Sequence, residues 1–284
     1  MIIRRRLPRL ASLLVVAAVC SYGQPTVGAK PPAKSNPWRP LLGGNDFAGW
    51  YTWLETSGRN SDPTGIFKFE DGAVHVYATA KDGSKQPYGY FATDKELSNY
   101  HLRFQYKWGR KKFIPRYETK RDAGLMYHVF GPDLLWPTCI ECQVQETDTG
   151  DFVMVGTTLT IELGPPAYGY PKYAPGGKPR SGLKWHVLNR GEYNDPPEDS
   201  LTDWNTVEVI VTDGALTHIV NGKVNNYGVR PMRPDPQDPS REIPLTRGRI
   251  LFQAEGAEVI YRNIEIKPAE ADPITTESRR HRGD

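Results

Sequence analysis

Three observations predict an all-β chain of the sandwich or barrel type. Short stretches with apolar side chains at every second position recur along the chain, separated by turn pairs such as Asp71-Gly72 and Asn221-Gly222. The composition, with 27 Gly, 25 Pro, 15 Tyr and 7 Trp in 284 residues, suits many short strands and structured turns better than helices. After residue 30 no apolar pattern of helical period persists. No internal repeat is visible, and the length is ample for one domain with a sizeable core.

Met1 to Gly23 reads as an export signal. Arg4, Arg5, Arg6 and Arg9 form a charged start, and the apolar run Leu10 to Val19 is too short to span a bilayer as a helix. The expected location is therefore the periplasm or the extracellular space. The paired arginines are a weak pointer to twin-arginine export. Cys20 raises a lipid anchor, which the preceding Ala17-Ala18-Val19 disfavours because it lacks the usual Leu three positions back. Residues 24–37, rich in Pro and Lys, read as a linker, 38–268 as the domain, and 269–284 as a flexible tail. The leader carries four arginines and no acid, so its removal takes the formal net charge from +3 to −1. A nearly neutral chain gives a nucleic-acid role no electrostatic support.

The domain opens with a predicted hairpin from Ile66 to Tyr77. In the next strand Leu102, Phe104, Tyr106 and Trp108 face one way, and Arg103, Gln105 and Lys107 the other. The basic segment Gly109 to Arg121 is expected to be a long loop, either merely solvated or a rim offering Lys or Arg to an oxygen-rich ligand. The stretch from Asp122 to Asp151 then holds two alternating runs joined by a loop with Gly131, Pro132 and Pro137. In the second run Glu141, Gln143 and Gln145 must share one face, while Ile140, Cys142 and Val144 share the core face. In the first, Gly124, Met126 and His128 alternate, which would set an imidazole and the Asp122 carboxylate beside the Glu141 row. Further strands are predicted at Val153 to Leu163, Trp204 to Asp213, Leu216 to Asn221, Lys223 to Tyr227, Arg249 to Ala254 and Glu258 to Lys267. Two irregular excursions separate them, Gly164 to Pro197 and Arg230 to Pro244. The first is rich in Tyr and carries Trp185 and His186, a composition that argues for packing rather than disorder.

The chain resembles the 3-keto-disaccharide hydrolase domain family, also described as 3-keto-glucoside lyase/hydratase. The resemblance rests on LLGGNDFAGW (Leu41 to Trp50), FKFEDGAVHV, GYFATDKELSNYHLRFQYKW, RDAGLMYH, IECQVQETDTGD, DWNTVEVIVTDGALTHIVNGKVNN and GRILFQAEGAEVIYRNIEIKP, in that order. It departs from the family pattern at Asp122, where Asn is usual, and at His128, where Arg is common. The resemblance selects a concanavalin A-like jelly-roll sandwich, whose concave sheet holds carbohydrate, and implies an enzyme acting on 3-keto-glycosides.

The residues exclude some chemistry and permit other chemistry. Laminarinase-type glucanases of this fold carry Glu-x-Asp-x-Glu on one strand and need two carboxylates. Here the run is Glu141-x-Gln143-x-Gln145, and Glu146 falls on the core face by alternation. Amides cannot serve as nucleophile or acid, so that mechanism is disabled. Cys139 and Cys142 point to opposite faces and are expected to be buried, inert thiols. A 3-keto sugar needs less, because the ketone acidifies the hydrogen on C2 and one base can start an elimination. Glu141 or His128 is the expected base. Gln143, Gln145 and Asp122 are expected to bind sugar hydroxyls, and Lys107 or Arg121 to stabilise the enediolate. Trp136, Trp185, Tyr170 and Tyr173 are the aromatic candidates for packing on a sugar face, with His186 beside them. A divalent metal bound by His128, Asp122 or Glu141 is left open. The competing expectation is a non-catalytic carbohydrate-binding module using the same face.

Overall fold

The computed structural model describes residues 37–187, 203–212 and 214–270. The expected leader, nearly all of the linker and nearly all of the tail lie outside the described residues. The first strands are β1 (Arg39–Pro40), β2 (Trp50–Leu54), β3 (Gly58–Arg59), β4 (Phe67–Glu70), β5 (Ala73–Val76), β6 (Gly89–Thr93), β7 (Tyr100–Lys112) and β8 (Asp122–Phe130). There follow β9 (Thr138–Gln145), β10 (Phe152–Leu163), β11 (Lys178–Val187), β12 (Asn205–Thr212) and β13 (Ala215–Val220). The last are β14 (Lys223–Pro234), β15 (Glu242–Pro244), β16 (Arg249–Ala254) and β17 (Ala257–Pro268). Among the described residues there is no helix.

Antiparallel pairing sorts these strands into two layers. One runs β3-β2-β6-β16-β8-β9-β10-β11. The other runs β4-β5-β17-β7-β12-β13-β14. Strand β10 serves both: Phe152 to Val155 pair with β9, whereas Thr158 and Thr160 pair with β14. The bend between these halves falls at Gly156, whose φ of +63° suits a residue without Cβ.

Alternation explains why the layers stick. Along β7, Leu102, Phe104, Tyr106 and Trp108 are buried, as their period-2 pattern predicts. Between the layers Phe252 of β16 stacks on Phe91 of β6 at 5.1 Å and meets Phe104 of β7 edge-on at 5.0 Å. Truncating such a ring to Ala costs about 3–5 kcal/mol. Ile140, Cys142 and Val144 join this core. His218 is buried there as well, held between the Tyr127 hydroxyl and the Gly150 carbonyl at 2.9 Å each, and burial lowers its pKa to about 3. The result is an all-β jelly-roll sandwich of concanavalin A-like class.

The turn at Asp71-Gly72 has both residues at positive φ, 50° and 74°, as a tight hairpin requires. Two expected irregular stretches contain strand. Strand β11 lies inside the Pro- and Gly-rich segment after Gly164, and β14 continues to Pro234 before β15. Pairing with β10 and β15 overrides weak local propensity in both places. Strand β7 likewise extends to Lys112, shortening the basic loop. Glu146 falls beyond the end of β9, so alternation stops applying to it. Instead of entering the core it pairs with Arg121 at 2.5 Å.

Candidate active site

The outer face of the first layer changes character along β8, β9 and β16. At one end Met126, Leu251, Tyr51, Tyr90 and Val129 form an apolar cluster, joined by Cys139. At the other end the same strands present Gln253, Glu255, Asp122, Glu141, Gln143 and Gln145. A cleft of about 460 Å³ opens here, lined by Arg116, Asp122, Trp136, Glu141, Gln143, Gln145, Val153, Val155, Tyr170, His186 and Glu255.

The sheet register positions the key groups. Val153 is paired with Glu141 on one side and His186 on the other, so Glu141 and His186 sit two strands apart in one row. At strand spacing this separates their backbones by roughly 10 Å, enough to admit a sugar ring between the side chains. His186 Nε2 lies 3.0 Å from the buried Asp151 carboxylate, which fixes the imidazole's orientation. Asp122 and Gln145 are also register partners, and the Gln145 amide donates to Asp122 at 2.6 Å. Gln143 turns its amide oxygen to the Val144 N–H at 3.0 Å, which leaves its NH₂ for a ligand.

Three carboxyl groups share this cleft with one guanidinium. Arg116 donates to Asp122 and, at 2.6 Å, to Glu255. Burial pushes Asp122 up to about 6 against the pull of Arg116, and pushes Glu255 up to about 8 with the Asp122 charge as the next cause. Burial, then the charges of Glu255 and Asp122, raise Glu141 well above the ordinary carboxyl range. Burial and the neighbouring carboxyls thus favour the protonated form of Glu141, while Asp122 keeps the closest contact with Arg116.

The structure brings Glu141, Gln143, Gln145, Asp122, Trp136 and His186 together, as well as Tyr170, whose ring lies 5.3 Å from His186. It leaves His128, Lys107, Arg121 and Tyr173 elsewhere. His128 has a φ of +54° in a register break between Tyr127 and Phe130, which ends the alternation begun at Gly124, so it does not line the cleft. It is buried, and desolvation lowers its pKa to about 4. Lys107 projects from the second layer, with its ammonium 4.9 Å from the Trp204 ring. Arg121 is consumed by Glu146 and by the Gly109 carbonyl. Tyr173 is buried against the core, and the Trp185 side chain is outside what the structure describes.

Sequence reasoning missed Arg116, Glu255 and Asp151. Arg116 comes from the basic segment expected to be either a solvated loop or a cationic rim, of which Arg121 and not Arg116 was the named candidate. Glu255 follows Leu251 and Gln253 at period two, a signal that could have placed it on the cleft face. Among the described residues no three His, Cys, Asp or Glu side chains are grouped to hold a metal ion. The set His128, Asp122 and Glu141 is not assembled, and Arg116 stands between Asp122 and Glu255.

A polar, aromatic-rimmed cleft on the face of a β-sandwich suits a carbohydrate ligand. The chain belongs to the 3-keto-alpha-glucoside-1,2-lyase-like domain family, whose model matches residues 37–267. No curated protein matches the chain. Among solved structures, a Parabacteroides distasonis protein provisionally assigned as a glycosyl hydrolase matches at 21% identity, covering 82% of this chain and 94% of that one, with a TM-score of 0.48. The Bacillus subtilis carbohydrate-binding module CBM66 matches at 9% identity, covering 77% and 95%, with a TM-score of 0.42. A Bacillus subtilis protein of unknown function with a galectin-like fold matches at 15% identity, covering 82% and 94%, with a TM-score of 0.45. Among the described residues no helix is long and apolar enough to cross a membrane.

Proposed function

We propose that this protein is an exported enzyme that cleaves 3-keto-glycosides by elimination followed by hydration. The observation that carries the proposal is the pairing, across one cleft, of the buried Glu141 carboxyl with an imidazole oriented by a buried carboxylate at His186. A base at C2 starts the elimination, and an acid at the leaving oxygen on C1 assists the departure of the aglycone.

In this reading His186 takes the proton from C2, and the electron pair moves into an enolate whose negative oxygen is stabilised by Arg116. The enolate re-forms the C3 ketone as the C1–C2 double bond appears and the C1–O bond breaks. Glu141 gives its proton to the departing aglycone oxygen. Water then adds at C1 of the conjugated product while a proton returns to C2. Gln143 and Gln145 are acceptors and donors for ring hydroxyls, with Asp122 lining the cleft beside them. In this reading Glu141 enters as the acid and not as the base, because burial and its carboxyl neighbours raise its pKa. The mechanism contains no step through a metal.

Trp136 is 47% exposed and Tyr170 38% exposed at the rim, which favours sugar stacking and also suits a binding module. The two readings separate when the purified protein is mixed with 3-keto-trehalose and with trehalose, each with and without EDTA. Growth of enone absorbance and release of glucose from the keto-sugar alone supports the enzyme. Binding of both sugars without any release supports the module, and loss of turnover in EDTA would add a metal to the scheme.

A further inference from the structure

Gly124 lies on β8 between Glu141 of β9 and Gln253 of β16. A Cβ built on Gly124 would sit 2.0 Å from Glu141 Oε1 and 2.1 Å from Gln253 Oε1. The two oxygens therefore face each other across the gap that the missing side chain leaves. Gln253 is buried, and its Oε1 has no hydrogen-bond partner among the described residues. A buried acceptor opposite a carboxylate oxygen is doubly unfavourable, because the acceptor is unsatisfied and two oxygens repel. One proton on Glu141 removes both penalties, since the carboxyl O–H then donates to the amide oxygen.

We infer that Gln253 is a positioning residue for the proposed reaction: it stores Glu141 as a neutral acid aimed along β8, in a cradle that exists only because residue 124 is glycine. The inference rests on the elimination reading for its purpose, but the protonation it asserts can be measured without substrate. Of the charged groups around Glu141, the two carboxyls act in the same direction as burial and one guanidinium acts against it. Glu255, just past the end of β16, and Asp122 on β8 disfavour a negative charge on Glu141, Arg116 from the loop opposes them as the last cause while bonding to both, and His186 on β11 is paired with Asp151. Val153 of β10, between Glu141 and His186, adds no polar partner.

The test is infrared spectroscopy of the full chain. The C=O stretch of a protonated carboxylic acid, isolated as the wild-type minus Glu141→Gln difference, is followed against pH. The expected result is a band present at neutral pH that disappears only in alkali. In Gln253→Met, which keeps length and volume while removing the acceptor, the midpoint moves down by about one pH unit or more. The alkaline limb of kcat/KM for a keto-glycoside moves by the same amount, whereas a merely structural defect would lower activity equally at every pH. If Gln253→Met does not fold, Gly124→Ala supplies the same comparison by forcing the two oxygens apart. Absence of the wild-type band at neutral pH, as when the Gln253 amide turns its NH₂ toward an ionised Glu141, overturns the inference. So does an unmoved midpoint in the variant. A band without keto-sugar turnover would refute the proposed reaction and leave the protonation intact.

Discussion

The two ends of the same sheet face handle charge in opposite ways. At the apolar end Asp133 receives the Tyr51 hydroxyl at 2.6 Å and Arg249 at 2.7 Å, with Arg59 farther off at 3.4 Å. Partial burial raises its pKa, but those hydrogen bonds and cations win, and the carboxyl ends below its usual range. At the cleft end three carboxyls share the single cation Arg116, and burial wins. The strands are the same; the count of cations per acid differs. A surplus of cations holds a carboxylate in a structural clamp, and a surplus of acids raises the carboxyl pKa values. The clamp holds the loop after β8, which carries Trp136 to the cleft rim, so one end anchors what the other uses.

Breaking the cleft end has the largest expected effect. Glu141→Gln removes the proton donor and should lower turnover of a keto-glycoside by roughly 10²–10⁴. Its thermal stability should hold or rise, since a buried acid is replaced by its neutral isostere. Arg116→Met should cost about 3 kcal/mol in denaturant unfolding at pH 8 by leaving Asp122 and Glu255 unpaired. The same variant at pH 5 should lose much less, because both carboxyls are then protonated.

The pH dependence of the wild-type protein sharpens the contrast. Asp122 and Glu255 have folded values of about 6 and 8, above their ordinary 3.8 and 4.5, so the folded state binds more protons than the unfolded chain in between. Their contribution to stability is therefore present below about pH 4 and is lost as pH rises through 6 and 8. Asp133, lowered in the folded state, contributes in the other sense, with stability lost as pH falls below the ordinary carboxylate value. Unfolding midpoints followed from pH 4 to pH 9 should fall across that range, and Asp122→Asn should flatten the curve near pH 6.

At the clamp, Asp133→Asn should cost about 1–2 kcal/mol in thermal or denaturant unfolding, with turnover affected only through the Trp136 loop. Trp136→Ala should be the mildest change. Loss of one exposed stacking ring is worth about 1 kcal/mol, seen as a five- to tenfold rise in KM with kcat nearly unchanged.

Much of this was legible in the chain because strand periodicity is local. The Glu141-Gln143-Gln145 row, the core face Ile140-Cys142-Val144 and the β7 alternation all follow from counting by two. The sandwich itself rested on turn pairs and on the family segments. Alternation failed at His128, since a non-glycine residue at positive φ leaves no mark in the surrounding sequence. Lys107 and Arg121 were drawn toward the site by charge alone, and nothing local says that one belongs to the other layer or that Glu146 claims the other. Arg116 was hidden for the opposite reason: which cation of a basic loop reaches the cleft depends on how the whole loop folds back.

The most direct test of the central claim is to follow a 3-keto-glucoside carrying deuterium on C2. The account predicts aglycone release that is slower than for the protium substrate, with the deuterium lost to water and Glu141→Gln slowing release further. Release at an unchanged rate with deuterium retained on C2 would mean direct displacement at C1 and would contradict the elimination chemistry assigned to His186 and Glu141.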